Sequence, residues 1–200
     1  MHSQFNDEII IQSHFPLNYI GNCIEVGLGY GDRGSTTLFF EKKGWKCIGI
    51  EANPMLADYS RQYRKNVVNC AVGSENLPSI PFHILQLDWG NESAVSSLKI
   101  DERLYEQHKD MIQSTRTIDI ELKTLDRIIE DANLFNSIDF ISIDTEGTEL
   151  DVLKGFDLNK WQPKLLMIEN NYSDIEVEEY LKQFGYTKSL RHEVNDFYIL

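Results

Sequence analysis

The chain is short of cysteine, of basic residues and of long hydrophobic runs, and each shortage excludes a class of protein. It has three cysteines in 200 residues, Cys23, Cys47 and Cys70. Their odd number and wide spacing argue against a disulfide framework and against a zinc site. We therefore expect each cysteine to be buried as a small hydrophobic residue.

Basic residues are outnumbered, with 19 Lys and Arg against 32 Asp and Glu, which gives a formal net charge of −13. Binding to a phosphate backbone needs clustered cations, so general nucleic-acid binding is not expected, and neither is binding to an anionic membrane. The apolar runs are far shorter than the roughly 20 residues of a membrane-spanning helix. Residues 1–8 lack the basic and apolar regions of a secretory signal, so we expect a cytoplasmic protein.

Short apolar runs alternate with amphipathic stretches along the chain. Strands are predicted at 23–27, 46–51, 67–72, 138–143 and 165–168. Helices are predicted between them at 35–43, 54–64, 125–132, 149–153 and 175–184. This alternation indicates right-handed βαβ units and a doubly wound α/β fold around a mostly parallel sheet.

Two pairs of predicted strands depart from this alternation. Residues 186–191 and 197–200 are joined by a short polar turn, which permits only an antiparallel hairpin at the C-terminus. Residues 81–87 and 117–122 are expected to pair as a small antiparallel β insertion. We find no repeat and no linker rich in proline, glycine or serine, so we expect a single domain over 1–200.

A glycine-rich turn follows the first predicted strand. Gly27, Gly29 and Gly31 permit a sharp turn and a close approach of a ligand to the main chain. Such a turn before a helix is typical of a nucleotide site in a doubly wound fold. Glu51, at the end of the second strand, is placed to accept hydrogen bonds from both hydroxyls of a ribose. Glu25, two residues before Gly27, is placed to reach a ligand amine.

The turn also fits a second ligand. Residues 29–34 satisfy the G-x-G-x-x-G pattern of dinucleotide-binding proteins, so a NAD-dependent oxidoreductase stays open as an alternative. Three features argue against an oxidoreductase. They are the polar Asp32 and Arg33 at the helix entry, the acid Glu25 inside the turn motif and the antiparallel C-terminal hairpin.

Further motifs follow the turn in a fixed order. They are Ile24-Glu25-Val26-Gly27, Ile50-Glu51-Ala52-Asn53-Pro54, Asn69-Cys70-Ala71-Val72-Gly73, Thr124-Leu125-Asp126, Ile143-Asp144-Thr145-Glu146-Gly147, Val152-Leu153-Lys154-Gly155 and Pro163-Lys164-Leu165-Leu166-Met167-Ile168-Glu169. The set resembles the FkbM-type family of S-adenosylmethionine-dependent methyltransferases from about residue 22 to the C-terminus. Only an N-terminal lead-in at 1–21 and a variable insertion at 88–116 fall outside the resemblance.

The resemblance implies a class I methyltransferase fold, with a seven-stranded Rossmann-like sheet and S-adenosylmethionine as the cofactor. It implies methyl transfer to a hydroxyl of a sugar, a glycoconjugate or a small natural product. The implied cofactor-binding residues are Glu25, Gly27, Leu28, Gly29, Gly31, Glu51, Ala52, Asn53, Ala71, Val72 and Asp144. Leu28 stands where the family usually has a small residue, so a non-catalytic cofactor-binding partner subunit stays a second alternative.

Asp144 and Glu146 are the predicted catalytic residues. They follow the strand at 138–143, and ligands of open α/β sheets bind at the carboxyl ends of the strands. Asp144 is placed to contact the methionine end of the cofactor or to take the proton of the acceptor hydroxyl. The competing interpretation is that these acids, with Glu149, cap the next helix.

Other candidate residues carry weaker signals. Glu169 and the two asparagines after it have the oxygen ligands that Mg²⁺ prefers, but no compact metal motif is present, so we assign no metal. His108 and His192 are candidates for the catalytic base, and Trp89 for a wall of the acceptor site. The charged stretch at 101–110 is a candidate helix, which makes the 88–116 insertion a possible lid over a carbohydrate or small-molecule acceptor.

Overall fold

The computed structural model describes residues 2–87 and 92–200, which form two β-sheets with helices around them. The strands are β1 Asn22–Val26, β2 Lys46–Ile50, β3 Val67–Val68, β4 Ala71–Val72, β5 Leu77–Leu87, β6 Glu92–Ser97, β7 Ile112–Lys123, β8 Phe140–Ile143, β9 Leu165–Glu169, β10 Thr187–His192 and β11 Asn195–Ile199. The helices are α1 Asp7–Ser13, α2 Leu38–Lys42, α3 Pro54–Ser60, α4 Glu102–His108, α5 Leu125–Ala132, α6 Glu149–Lys154, α7 Leu158–Trp161 and α8 Glu176–Lys182.

The larger sheet has seven strands in the order β10-β11-β9-β8-β1-β2-β3. The strands β9, β8, β1, β2 and β3 run parallel, while β11 is antiparallel to both of its neighbours. The predicted doubly wound sheet and its antiparallel C-terminal hairpin are therefore confirmed. The order reverses at β1 and β8, so their carboxyl ends form the crevice in which ligands of such sheets bind.

Apolar side chains cover both faces of this sheet. Successive residues of a strand point to opposite faces, and accordingly Cys23 packs in one apolar cluster while Ile24 packs in the other. The cysteines are buried and free, as predicted. Among the described residues, no helix combines the length and the apolar character that a membrane span requires.

The β insertion is a second sheet in the order β4-β7-β5-β6. β5 and β7 pair antiparallel over most of their length, as predicted for 81–87 and 117–122. The predicted helix at 101–110 is present as α4. Residues 88–91 at the start of the insertion, Trp89 among them, lie outside the described residues.

The predicted strand at 67–72 is wrong as a single element, because the chain turns in its middle. The Asn69 side chain donates hydrogen bonds to the carbonyl oxygens of Glu51, at 2.8 Å, and Ala52, at 3.1 Å. β3 therefore stays beside β2 in the large sheet, whereas β4 crosses to β7 in the second sheet. A hydrogen bond from one side chain to a neighbouring loop, such as that of Asn69, cannot be recognised from the hydrophobic pattern of the sequence.

The N-terminal lead-in contributes to the core. Ile11, on α1, and Phe15 are buried against one face of the large sheet, and the Phe15 ring meets the Trp45 ring edge-on at 5.1 Å between centroids. Tyr19 completes this group by accepting, at its carbonyl, a hydrogen bond of 3.0 Å from the Trp45 indole. Residues 1–21 thus extend the apolar core on one face of the large sheet.

Candidate functional site

The glycine turn predicted from the sequence is a left-handed loop at the carboxyl end of β1. Gly27, Gly29, Gly31 and Gly34 have φ of 85°, 58°, 72° and 73°, which L-residues rarely adopt. A Cβ on Gly27 would lie 1.8 Å from the carbonyl oxygen of Asp144. The loop can therefore lie directly against the end of β8 only because position 27 has no side chain.

Glu25 supports this loop from beneath. Its carboxylate accepts hydrogen bonds from the main-chain N–H groups of Thr36, at 2.7 Å, and Thr37, at 3.3 Å, and from the hydroxyls of Ser35, Thr36 and Thr37. Arg64 adds a buried ion pair at 3.2 Å. This carboxylate therefore holds the loop through donors of the chain itself, and its contact with a ligand amine stays a prediction. Because residues 35–37 are bound to Glu25, the helix predicted at 35–43 begins only at Leu38.

Glu51 joins the loop to the end of β2. One carboxylate oxygen accepts the N–H of Gly29 and the other accepts the N–H of Asn53, both at 2.7 Å. Burial raises the pKa of Glu51 to about 7, although the two backbone hydrogen bonds favour its charged form. Each carboxylate oxygen has a second lone pair, so Glu51 can still accept hydrogen bonds from two hydroxyls of a ligand.

Three of the predicted cofactor-binding residues have structural contacts. Leu28 is buried against Gly49, where a Cβ would lie 2.6 Å from a Leu28 methyl carbon, so Gly49 makes room for the bulky residue. The Asn53 side chain caps α3 by accepting the N–H of Met55 at 3.1 Å. Gly31 lies beside Ser60, with no space for a side chain.

The remaining predicted residues meet around one cavity of about 330 Å³ at the carboxyl edge of the large sheet. This volume lies within the range of small-molecule sites. The predicted residues that line it are Gly27, Gly29, Glu51, Ala52, Ala71, Val72, Asp144 and Glu146. Apolar walls come from Val26, Ile50, Leu56, Phe82 and Leu98. The cavity thus combines an apolar part beside Glu51 with an acidic part beside Asp144.

The acidic part consists of Asp144, Glu146 and Glu169, whose carboxylate oxygens lie within 4.8 Å of one another. Burial raises the pKa of all three groups, and their mutual repulsion raises those of Glu146 and Glu169 further. Glu169 shares a hydrogen bond with Asp144, which favours ionised Asp144 and protonated Glu169. Such a group could hold a divalent cation, but carboxylate clusters are common without one, and we assign no metal.

Glu149 and Asn170 hold the two loops that carry these acids. Glu149 accepts hydrogen bonds from the N–H groups of Thr145, at 2.9 Å, and Gly147, at 3.0 Å. Asn170 is engaged with Asp174 and Asp196 through both ends of its amide. Both side chains therefore hold the loops in place. The acids that line the cavity at this end are then Asp144, Glu146 and Glu169.

The insertion packs against the loops that carry the acidic part of the cavity. The Ser97 hydroxyl reaches the carbonyl oxygens of Thr145, at 3.3 Å, and Glu146, at 3.2 Å. Arg103 forms an ion pair of 2.8 Å with Asp174. These contacts place residues of the insertion over the cavity, namely Ser96, Leu98, Gln107 and His108.

Comparison with known proteins identifies the family. The sequence profile of the FkbM methyltransferase domain matches residues 20–188. The chain belongs to the FkbM methyltransferase family. No curated protein sequence matches it.

A solved structure of a family member is similar to this chain at the level of the fold. The FkbM methyltransferase from Methylobacillus flagellatus is 16% identical with a TM-score of 0.57, over 91% of this chain and 44% of that one. The precorrin-6y C5,15-methyltransferase from Geobacter metallireducens is 11% identical with a TM-score of 0.49, over 96% of this chain and 85% of that one. This FkbM-family chain thus spans less than half the length of its Methylobacillus relative.

The family motifs locate only part of the site. His108, Phe82 and Leu98 line the cavity but lie in or beside the insertion, and Glu169 lies on a strand separate from Asp144. Of the two candidate histidines, the structure brings only His108 to the cavity, because His192 pairs with Asp7 at 2.9 Å. The sequence signal for His108 is a polar residue in a variable insertion, and this signal made His108 a candidate for the catalytic base.

We expect Glu169→Gln to stabilise this FkbM-family fold above neutral pH. A carboxyl group whose folded pKa is raised contributes stability that is full below its unfolded pKa, about 4.5, and is lost as the pH rises. The glutamine amide is uncharged like the protonated carboxyl group, so the variant does not lose this stability as the pH rises. Thermal unfolding at pH 8 should show a midpoint at least about 2–4 °C higher, which corresponds to about 1 kcal/mol.

The control for this substitution is Glu176→Gln, which changes an exposed glutamate at the start of α8. It should leave the midpoint unchanged at both pH 5 and pH 8. A lower midpoint for Glu169→Gln at pH 8 would show that the folded chain needs Glu169 ionised.

Proposed function

We propose that this chain binds S-adenosylmethionine in the cavity and transfers its methyl group to a hydroxyl of a sugar, a glycoconjugate or a small natural product. The observation that carries the proposal is that Glu51 and Asp144 line one cavity together with Gly27 and Gly29 of the left-handed glycine loop. Glu51 fits a ribose diol, the apolar wall fits an adenine ring, and the acidic group fits a cationic methionine end.

The loop favours this ligand over a dinucleotide. A dinucleotide-binding fold places the pyrophosphate on the free N–H groups at the helix N-terminus after the glycine loop. Here the N–H groups of Thr36 and Thr37, just before α2, donate to the carboxylate of Glu25. A pyrophosphate at this place would meet a buried negative charge, so the NAD-dependent alternative loses its main binding contact.

The residues of the cavity support methyl transfer mainly by positioning. S-adenosylmethionine supplies an electrophilic methyl group on a positively charged sulfur. Glu51 would fix the ribose, and Asp144 would hold the ammonium group of the methionine end. Holding the acceptor oxygen in line behind the methyl carbon removes an entropic cost of several kcal/mol.

The first test is calorimetric titration of the wild type and of Glu51→Gln with S-adenosylhomocysteine. The substitution should weaken binding at pH 8 by about 1–3 kcal/mol, because charge-assisted hydrogen bonds to the ribose are lost. In the wild type, protonation of a group with a pKa of about 7 should weaken binding as the pH falls below 7. Glu51→Gln should flatten that part of the pH dependence.

Controls separate this site from its alternatives. Glu75→Gln changes an exposed acid that does not line the cavity and should bind like the wild type. Binding of NADH without S-adenosylhomocysteine would overturn the proposal, and equal affinity of Glu51→Gln would refute the ribose contact.

Methyl transfer is tested with radiolabelled S-adenosylmethionine and a panel of methyl glucoside, methyl galactoside, methyl mannoside, methyl rhamnoside and catechol. We expect label to enter a hydroxyl acceptor of this panel. Tight binding of the cofactor with no transfer to any acceptor would favour a non-catalytic cofactor-binding subunit.

A further inference from the structure

His108 is set apart from the other histidines by its surroundings. It lies at the end of α4 and lines the same cavity as Asp144 and Glu146. Its Nδ1 is buried and has no hydrogen-bond partner among the residues that the structure describes. The other histidines all have polar partners, which are Lys42 for His2, the Ile10 carbonyl for His14, Thr117 for His83 and Asp7 for His192.

The position of His108 is fixed by the anchors of the insertion. Arg103, five residues earlier, pairs with Asp101 and Asp174 and stacks over the Tyr172 ring at 3.9 Å. Ser97 binds the main chain of the loop that carries Glu146. A buried polar atom without a partner is costly and needs an explanation, and one explanation is a ligand group that His108 meets in the cavity.

Methyl transfer to a hydroxyl requires a group that can take a proton at neutral pH. Burial and mutual repulsion raise the pKa of Glu146 and of Glu169, which disfavours the ionised form that a carboxylate base needs. Asp144 is already engaged by Glu169 and by the cationic end assigned to it above. The His108 imidazole remains as a group on this cavity wall whose Nδ1 has no hydrogen-bond partner among the described residues.

We propose that His108 is the general base of the methyl transfer, an inference that rests on the proposed function. As the acceptor oxygen forms its bond to the methyl carbon, the carbon–sulfur bond breaks and its electron pair stays on the sulfur. The hydroxyl proton passes to the His108 imidazole, and the resulting imidazolium later releases it to solvent. The insertion therefore supplies a catalytic residue as well as the roof of the site.

The kinetic test compares His108→Gln and His108→Ala with Glu106→Gln, a control on the exposed face of the same helix. The acceptor is the panel compound that the wild type methylates fastest. Both His108 variants should lose about 100-fold or more in kcat, the scale of general-base catalysis. Their affinity for S-adenosylhomocysteine should stay within about twofold of the wild type.

Rescue distinguishes a base from a merely structural residue. Free imidazole should restore part of the activity of His108→Ala, in which the alanine leaves space for it, but none of that of His108→Gln. Retention of kcat within about threefold in both variants would overturn the proposal. Equal losses of kcat and of cofactor affinity without rescue would overturn it as well.

A second measurement needs no acceptor. Imidazole ¹⁵N resonances of the wild type are recorded during titration with S-adenosylhomocysteine, and the His108 signals are assigned by their absence in His108→Gln. They should shift on saturation, while those of the exposed His14 should not. Binding without a shift at His108 would overturn the role of His108 alone, whereas no binding at all would overturn the proposed function.

Discussion

Arg64→Met is expected to lower the free energy of unfolding by about 3–5 kcal/mol, because it removes one side of a buried charge network. The guanidinium lies 2.5 Å from a Glu41 oxygen and 3.2 Å from a Glu25 oxygen, and it also donates to Ser35 and Thr37. Burial opposes its charge, but the nearby carboxylates outweigh burial and raise the pKa of Arg64. Without Arg64, two carboxylates are left buried and uncompensated.

Urea unfolding measures this loss directly. Arg61→Met is the matched control, because Arg61 lies three residues earlier, is 46% exposed and pairs only with the exposed Asp58 among the ion pairs described. It should change stability by about 0.5 kcal/mol or less. Comparable losses in the two variants would show that the buried network does not hold the glycine loop.

Gly27→Ala is expected to have the second large effect, on folding and on cofactor binding together. A left-handed conformation costs an alanine about 1–2 kcal/mol. In addition, the new Cβ would lie 1.8 Å from the Asp144 carbonyl oxygen. Relief of this clash must separate β1 from β8 at the point where Asp144 donates its N–H to Val26. We expect a loss of more than about 4 kcal/mol, which only severe mechanisms produce.

Gly29→Ala is the matched control for this prediction. Gly29 has a similar left-handed φ of 58°, but a Cβ there would meet nothing within 4 Å. Its cost should be the conformational cost alone, about 1–2 kcal/mol. The two variants are compared by urea unfolding and by titration with S-adenosylhomocysteine. Similar losses of stability and of binding in the two variants would mean that the backbone around Gly27 and Asp144 can move apart at little cost.

Elements with a local signal were predictable from the sequence. The helix at 125–132 is observed with the predicted bounds, because Thr124 caps it by accepting the N–H of Arg127 and Asn133 ends it in a left-handed conformation. The C-terminal hairpin was likewise fixed by a turn too short for a crossover. In both cases residues adjacent in sequence decide the structure.

Elements that depend on distant partners were not predictable. α1 packs on the core through Ile11, which lies in the apolar cluster that contains Trp45, and the strand at 67–72 splits because Asn69 binds the loop after β2. The structural contacts of Glu25 were not predictable for the same reason, since Arg64 and the hydroxyls of residues 35–37 reach it only in the folded chain. Hydrophobic periodicity reports burial along one segment and carries no information on such pairings.

The sequence by itself determined the alternating sheet, the family motifs, the glycine turn and the acid at the end of the second strand. These depend on spacing within a single βαβ unit, where the backbone brings the turn and Glu51 together without help from other segments. Only the tertiary structure decided the composition of the acidic group and the place of His108. Asp144, Glu169 and His108 come from two strand ends and an insertion, and sheet pairing together with the Arg103 anchor brings them to one cavity.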